Sequence, residues 1–167
     1  METRIILLSL GSNVGDRAQN IEDAVGLFTG TGIIQKPTAS SFYETEPVGY
    51  ADQPWFINIA LRGETRYEAG QIIQFCKSVE YLLGRKIRKR WTEREIDIDL
   101  LLLGEDTLEY DALTVPHPRM HERRFVLAPA AEIAPEMTHP VLRKTVAELL
   151  AECADDSVVR KVKREEI

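Results

Sequence analysis

The stretch EIDIDLLLLG, residues 95–104, combines strict alternation with a run of leucines and predicts a buried β-strand. Asp97 and Asp99 alternate with Ile96 and Ile98. Because side chains at i and i+2 of a strand share a face, both carboxylates project the same way, with their Cα atoms about 6–7 Å apart. Like charges this close raise each other's pKa, and a divalent cation relieves the repulsion. Since Mg²⁺ prefers hard oxygen ligands, the strand predicts a metal site beside an aliphatic core face.

A cationic segment, RKIRKRWTER, comes directly before this strand at residues 85–94. Its basic residues are Arg85, Lys86, Arg88, Lys89, Arg90 and Arg94. The whole chain carries a net charge of −6, which argues against a broad nucleic-acid surface and favours a small polyphosphate as the ligand. Charge runs are more often simply solvated faces, so the segment alone leaves both interpretations open. Trp91 within it could stack on a heterocycle.

The order of the predicted elements is β-α-β-β-α-β. The 167 residues favour one domain, which we expect over residues 1–154, followed by a charged tail at 155–167. We predict strands at 4–10, 33–45, 55–62 and within 95–104, helices at 16–28, 68–83, 121–133 and 146–152, and an extended segment at 113–118. This pattern predicts an α+β, ferredoxin-like antiparallel sheet with helices packed on it and a helical C-terminal extension. The SVVRKVK stretch of the tail is either a strand or disordered.

The remaining composition narrows the class of protein. Cys76 and Cys153 have neither disulfide nor metal-ligand spacing, and we expect packed thiols. No apolar run approaches the length of a membrane span, and the N-terminus lacks a signal-peptide pattern. We therefore expect a soluble, cytoplasmic protein.

Four further residues can each be interpreted in two ways. Phe56 and Asn58 share a strand face, so a ring held on Phe56 could be read by the donor and acceptor of Asn58. The alternative is an aromatic core residue beside a tolerated polar one. Phe125 presents the same choice. His117 lies between two prolines in VPHPRM, a rigid setting, although a lone histidine is more often structural.

Seven segments in order resemble one family. They are LGSN (10–13), SSFYETEPVG (40–49), DQPWFIN (52–58), the helix end with Glu80, Gly84 and Arg85, RWTEREIDIDLLLLG (90–104), LTVPHPRM (113–120) and RRFVLAPAAEIAP (123–135). The chain resembles the 6-hydroxymethyl-7,8-dihydropterin pyrophosphokinases of folate biosynthesis. That family transfers pyrophosphate from ATP to the hydroxymethyl group of the pterin and releases AMP and the pterin diphosphate.

The resemblance implies the site and its ligands. Two Mg²⁺ ions would be held by Asp97 and Asp99, with Arg85 and Arg94 as further catalytic residues. The implied ATP-binding residues are Glu80, Arg88, Trp91, Leu100, Thr114, His117 and Arg123, and the implied pterin-binding residues are Thr45, Val48, Phe56, Asn58, Asp97 and Phe125. ATP and the pterin would be the only partners of a monomer that binds neither nucleic acid nor a membrane.

The chain departs from the family pattern at several positions. Thr92-Glu93 replaces a usual Gly-Pro, Ala112 a frequent arginine and Pro118 a common aromatic residue. The basic segment is also a residue shorter than in some members, so that either Lys86 or Arg88 could be the second phosphate contact.

Two other classes of function remain open at this point. A different metal-dependent nucleotidyl- or phosphotransferase could use the same aspartate pair and would release a product other than AMP. A non-catalytic ferredoxin-like module that binds a nucleotide or RNA is the second alternative. The acidic net charge and the carboxylate pair count against it, because carboxylates without a metal repel phosphate.

Overall fold

The computed structural model describes residues 2–49, 52–84 and 95–167. The strands are β1 (Arg4–Ser12), β2 (Gln35–Ala39), β3 (Phe42–Thr45), β4 (Phe56–Thr65), β5 (Asp97–Leu103), β6 (Leu108–Tyr110), β7 (Leu113–Val115), β8 (Thr138–His139), β9 (Lys144–Thr145) and β10 (Val159–Val162). The helices are α1 (Arg17–Gly30), α2 (Ala69–Leu82), α3 (Arg124–Ile133) and α4 (Val146–Glu152), and short 3₁₀ turns cover Met120–Glu122 and Arg164–Glu166.

The main sheet runs in the order β10-β3-β4-β1-β5, with β2 also paired to β4. All of these pairings are antiparallel. Within the predicted β-α-β-β-α-β unit, the order is second, third, first and fourth strand, which is the ferredoxin-like arrangement. The predicted fold class is confirmed.

Helices cover both faces of this sheet. Alternate side chains of the central strand β1 point to opposite faces, so Leu8 packs with α1 and α2, whereas Leu7 packs with α3 and α4. Residues 96–103 of the opening stretch supply both layers: Ile98 belongs to the first and Leu101 to the second. Each such fully buried side chain contributes about 1.5–3 kcal/mol relative to its exposed state. The leucine run therefore fixes β5 between two layers of helices.

The predicted strand at 33–45 is divided into β2 and β3. Both pair with the same edge of β4, and the interruption falls at Ser40 and Ser41. There the Ser40 hydroxyl accepts a hydrogen bond from the Ala60 N–H at 2.9 Å, and the Ser40 N–H donates to the Ala60 carbonyl. A side chain that competes for ladder hydrogen bonds breaks the regular pairing, which local composition did not reveal.

Three other regions differ from, or refine, the sequence prediction. The tail forms β10, which pairs with β3, so the strand alternative holds. The two hairpins β6-β7 and β8-β9 were not predicted as hairpins. The third helix begins at Arg124 rather than at residue 121, because a 3₁₀ turn precedes it.

Within the residues that the structure describes, no helix combines the length and the apolar character needed to cross a bilayer.

Candidate active site

One row of residues crosses the sheet and carries the polar side chains of the site. Asp97 of β5 lies opposite Gly11 of β1, and Gly11 lies opposite Asn58 of β4. In the next row, Asp99 lies opposite Ser9. Directly opposed residues share a face, and Asp97 and Asn58 are two strand spacings apart, about 10 Å. The prediction that both aspartates project from one face is confirmed, and Gly11 separates them from Asn58.

A cavity of about 400 Å³ opens at the aspartate pair. Six residues predicted from the resemblance line it: Glu80, Asp97, Asp99, Leu100, Thr114 and His117. Ala112 and Pro118, two positions that depart from the family pattern, also line it. Sequence reasoning missed Lys77, which lines the cavity one helical turn before Glu80. The sequence signal that could have found Lys77 is its i, i+3 spacing from Glu80 in the predicted helix, which puts the two side chains on one face.

Glu80 is buried rather than on the helix surface, where helical position alone would place it. Its Oε2 atom accepts a hydrogen bond from the Ile98 backbone N–H at 2.9 Å. Ile98 lies between Asp97 and Asp99, so this contact ties α2 to the segment of β5 that carries both carboxylates. A hydrogen bond of this kind contributes about 0.5–1.5 kcal/mol, and a buried N–H left without an acceptor costs about 1–3 kcal/mol.

His117 faces the aspartates as a neutral donor. Its Nδ1 atom accepts a hydrogen bond from the Arg119 N–H at 3.1 Å, so in the neutral ring the proton is on Nε2. That Nε2 lies 3.9 Å from Oδ1 of Asp99, which is beyond hydrogen-bonding distance. Burial, together with the positive charges of Arg123 and Arg119, lowers the pKa of His117 to about 4. At neutral pH the ring therefore presents an N–H to the cavity without adding charge.

Arg123 carries a buried hydrogen-bond donor in its guanidinium group. In the parts of the chain that the structure describes, its Nε atom is buried and has no hydrogen-bond partner. Burial and the charge of Arg119 lower the pKa of Arg123, while the charges of Asp99 and Asp97 act in the opposite direction. Unpaired buried donors are rare, so this atom fits an anionic ligand. The guanidinium carbon is also 5.8 Å from the ring centre of Phe125.

A second polar group lies across β1 from the aspartates. Asn58 donates from Nδ2 to the Thr45 hydroxyl at 2.7 Å, and both residues are buried. A Cβ atom at Gly11 would lie only 2.3 Å from Asn58 Oδ1, so the amide lies directly over the glycine. Phe56 is half-buried on the same face, opposite Thr45. Burying polar groups is costly, and such a cluster is typical of a site that recognises a polar ring.

Val48 is 40% exposed and follows β3 in the segment that leads to β4. Asn13 anchors the far end of that segment by donating from Nδ2 to the Pro54 carbonyl at 3.0 Å. Thus Thr45, Val48, Phe56 and Asn58 lie on two neighbouring strands and on their connection.

The carboxylates of Asp97 and Asp99 suit a magnesium ion that also binds substrate and water, rather than a metal ion enclosed by protein ligands alone. Among the described residues, no group of three or more His, Cys, Asp or Glu side chains could hold a metal ion. Mg²⁺ is usually bound by one or two carboxylates together with substrate phosphates and water, and Asp97 and Asp99 meet that requirement. The predicted residues Arg85, Arg88, Trp91 and Arg94 lie outside the described residues.

Comparisons with known proteins agree with this geometry. Residues 7–135 match the model of the 7,8-dihydro-6-hydroxymethylpterin-pyrophosphokinase family. A 2-amino-4-hydroxy-6-hydroxymethyldihydropteridine pyrophosphokinase of Bacillus subtilis is 41% identical over 133 residues, 80% of this chain and 80% of the relative. The protein of the same name from Methylorubrum extorquens is 38% identical over 153 residues, 92% of this chain and 96% of the relative.

A solved structure shares the fold. The wild-type HPPK-DHPS protein of Plasmodium falciparum, determined with pteroate, superposes with a TM-score of 0.68 at 16% identity. The match covers 90% of this chain and 42% of that longer protein, and at this identity it supports the fold alone. The family model and the two bacterial relatives carry the assignment. The chain belongs to the 7,8-dihydro-6-hydroxymethylpterin-pyrophosphokinase family.

Proposed function

We propose that the chain transfers pyrophosphate from ATP to the hydroxymethyl oxygen of 6-hydroxymethyl-7,8-dihydropterin, with Asp97 and Asp99 at the centre of the site. The observation that carries this proposal is the shared row of β5, β1 and β4. It puts Asp97, which lines the cavity of about 400 Å³ together with Asp99, on the same face as Asn58, whose amide donates to the buried Thr45 hydroxyl. A nucleotide and a pterin ring can therefore approach each other over Gly11.

The nucleotide side is formed by the cavity. Thr114 and His117 line it, and the Nε2–H of His117 can donate to a phosphate oxygen. The Nε of Arg123, which has no hydrogen-bond partner within residues 2–49, 52–84 and 95–167, offers a second donor. Leu100 supplies an apolar wall, and Glu80 keeps β5 in position through Ile98.

The metal proposal follows from the two carboxylates. Asp97 and Asp99 would hold two Mg²⁺ ions together with the triphosphate oxygens. When bound, Mg²⁺ supplies the positive charge that neutralises the triphosphate and stabilises the developing charge at the β-phosphorus.

The pterin side is formed by Phe56 and Phe125 as the two stacking rings, with Asn58 and Thr45 at the polar edge. Residues near Val48 add backbone contacts. Asp97, on the row shared with Asn58, lies where the hydroxymethyl group would meet the phosphate chain. Because phosphoryl transfer depends mainly on positioning and on charge neutralisation, this arrangement suffices without a covalent intermediate.

Further parts of the proposal concern residues and properties beyond this geometry. Arg85, Arg88 and Arg94 would contact phosphate oxygens, and Trp91 would cover the bound substrates. We also propose that the enzyme acts as a monomer in the cytoplasm. Size-exclusion chromatography with light scattering tests the monomer, and a mass of twice 19.0 kDa would contradict it.

The test is AMP release that requires both the pterin and Mg²⁺. Asp97→Ala and Asp99→Ala should each abolish turnover and keep the thermal unfolding temperature of the parent. Asp23→Ala is the matched control, since Asp23 is exposed on α1 and belongs neither to the row of Asp97, Gly11 and Asn58 nor to the cavity lining. Release of ADP instead of AMP, or turnover in either aspartate variant equal to that of the control, would contradict the proposal.

A further inference from the structure

The C-terminal segment, residues 155–167, contacts both elements that flank the proposed pterin pocket. Asp155 accepts a hydrogen bond from the Arg124 N–H at 2.9 Å, at the first turn of α3, where the helix has no capping side chain from Arg123. The next residue of that helix is Phe125. Although partial burial opposes ionisation, hydrogen bonds from Ser157 and Arg124 lower the pKa of Asp155. The ionised carboxylate therefore caps the helix that carries one of the two stacking rings.

The other contact is with β3, which carries Thr45. Strand β10 pairs antiparallel with β3, and Val159 lies opposite Thr45. Beyond the pairing, Glu46 and Val158 exchange two hydrogen bonds. The Glu46 carboxylate accepts from the Val158 N–H at 2.7 Å, and the Glu46 N–H donates to the Val158 carbonyl at 3.2 Å. These bonds hold the chain where it leaves β3 towards Val48.

Side-chain hydrogen bonds connect this edge of the sheet to the start of β4. Glu44 accepts from Arg160 of β10 and from Arg17 of α1, the latter at 3.3 Å. Arg17 also donates to the Trp55 carbonyl at 2.9 Å, immediately before Phe56. Thus both ends of the connection between β3 and β4 are tied, directly or through Glu44, to the C-terminal segment.

We infer that residues 155–162 are a positioning element for the pterin pocket, and that the Glu46–Val158 pair is its principal contact. This inference rests on the proposed function. The segment lies outside residues 7–135, which match the family model, so the role is assigned by its contacts alone. Within the described part of the chain, its hydrogen bonds and ion pairs involve no residue that lines the nucleotide cavity, and it should therefore affect pterin binding and leave nucleotide binding unchanged.

The experiment compares KM values for the pterin and for ATP in full-length variants. Glu46→Ala removes the acceptor for Val158, and we expect the KM for the pterin to rise about tenfold, the equivalent of one or two hydrogen bonds, with the KM for ATP unchanged. Glu46→Gln keeps an oxygen acceptor and should restore the KM of the parent. Arg164→Ala, which removes only the contact with Glu22, is the matched control and should change neither value.

Two truncations extend the test. A chain ending at residue 162 keeps β10 and should behave like the parent, whereas a chain ending at residue 154 should show a higher KM for the pterin than Glu46→Ala does. If the shorter chain does not fold, the comparison of Glu46→Ala with Glu46→Gln tests the positioning role.

The outcomes separate the two proposals. An unchanged KM for the pterin in Glu46→Ala, or equal losses for ATP and the pterin, would overturn the positioning role while the proposed function stands. A parent protein without pterin-dependent AMP release would overturn both.

Discussion

Replacement of Gly11 by alanine is the most direct structural test of the pterin pocket. The added Cβ would lie 2.3 Å from Asn58 Oδ1 and 3.3 Å from its Cγ, where ordinary contacts begin near 3.4 Å. Gly11 does not have a positive φ, so the backbone tolerates alanine and the whole effect is steric. The Asn58 amide must therefore move away from Thr45 or force the strands apart.

The expected cost follows from these contacts. Overpacking a well-packed site costs about 1–3 kcal/mol, and loss of the Asn58–Thr45 hydrogen bond costs about 1 kcal/mol more. We expect Gly11→Ala to lower the free energy of unfolding by roughly 2–4 kcal/mol and to weaken pterin binding at least about tenfold. Urea unfolding measures the first quantity, and titration of the pterin's own fluorescence measures the second.

Two comparisons sharpen the result. Gly26→Ala is the matched control, because a Cβ at this exposed position of α1 has no atom within 4 Å, and helix propensity predicts a gain of about 1 kcal/mol. In the double variant Gly11→Ala/Asn58→Ala the clash partner is gone, so the two unfolding losses should not add. A Gly11→Ala protein with parental stability and pterin affinity would refute the reasoning.

Three further predictions concern other contacts of the site and fold. Glu80→Ala should cost about 2 kcal/mol of unfolding free energy, because the buried Ile98 N–H loses its acceptor, and Glu80→Gln should cost less; equal values in urea unfolding would contradict this. Burial and the neighbouring His121 lower the pKa of His139, whose Nδ1 atom accepts hydrogen bonds from two backbone N–H groups. The free energy of unfolding should therefore fall as the pH drops below the ordinary histidine pKa near 6.5, because the unfolded chain then binds the proton more tightly. A His139→Gln variant with the same pH profile would count against this. Arg123→Met should weaken binding of a non-hydrolysable ATP analogue about tenfold or more, and calorimetric affinity equal to the parent's would exclude its phosphate role.

The shared face of the two aspartates and the positions of the main strands follow from short-range sequence patterns. The two-residue period of EIDIDL places Asp97 and Asp99 together in any strand, and the same rule pairs Phe56 with Asn58. Likewise, Gly84 after α2 has a φ of 93°, as expected for a residue that ends a helix. Such features depend on neighbours within a few residues, and for that reason they are readable without a structure.

Contacts between distant segments were not predictable in this way. Glu80 looks like a surface residue until α2 is docked on β5, and the necessity of glycine at position 11 arises only when β4 brings Asn58 over it. The strands β10 and β3 pair although more than a hundred residues separate them in the sequence. The short, charged segment that forms β10 contains no local pattern that indicates which strand it pairs with.

Transfer of label from ATP carrying ³²P at the β-position tests the central claim most directly. Attack of the pterin hydroxymethyl oxygen on the β-phosphorus moves the label to the pterin, and unlabelled AMP is released in equal amount. We predict this result for the parent chain in the presence of Mg²⁺ and its absence in Asp97→Ala and Asp99→Ala. Label that remains in the nucleotide as ADP would contradict the account.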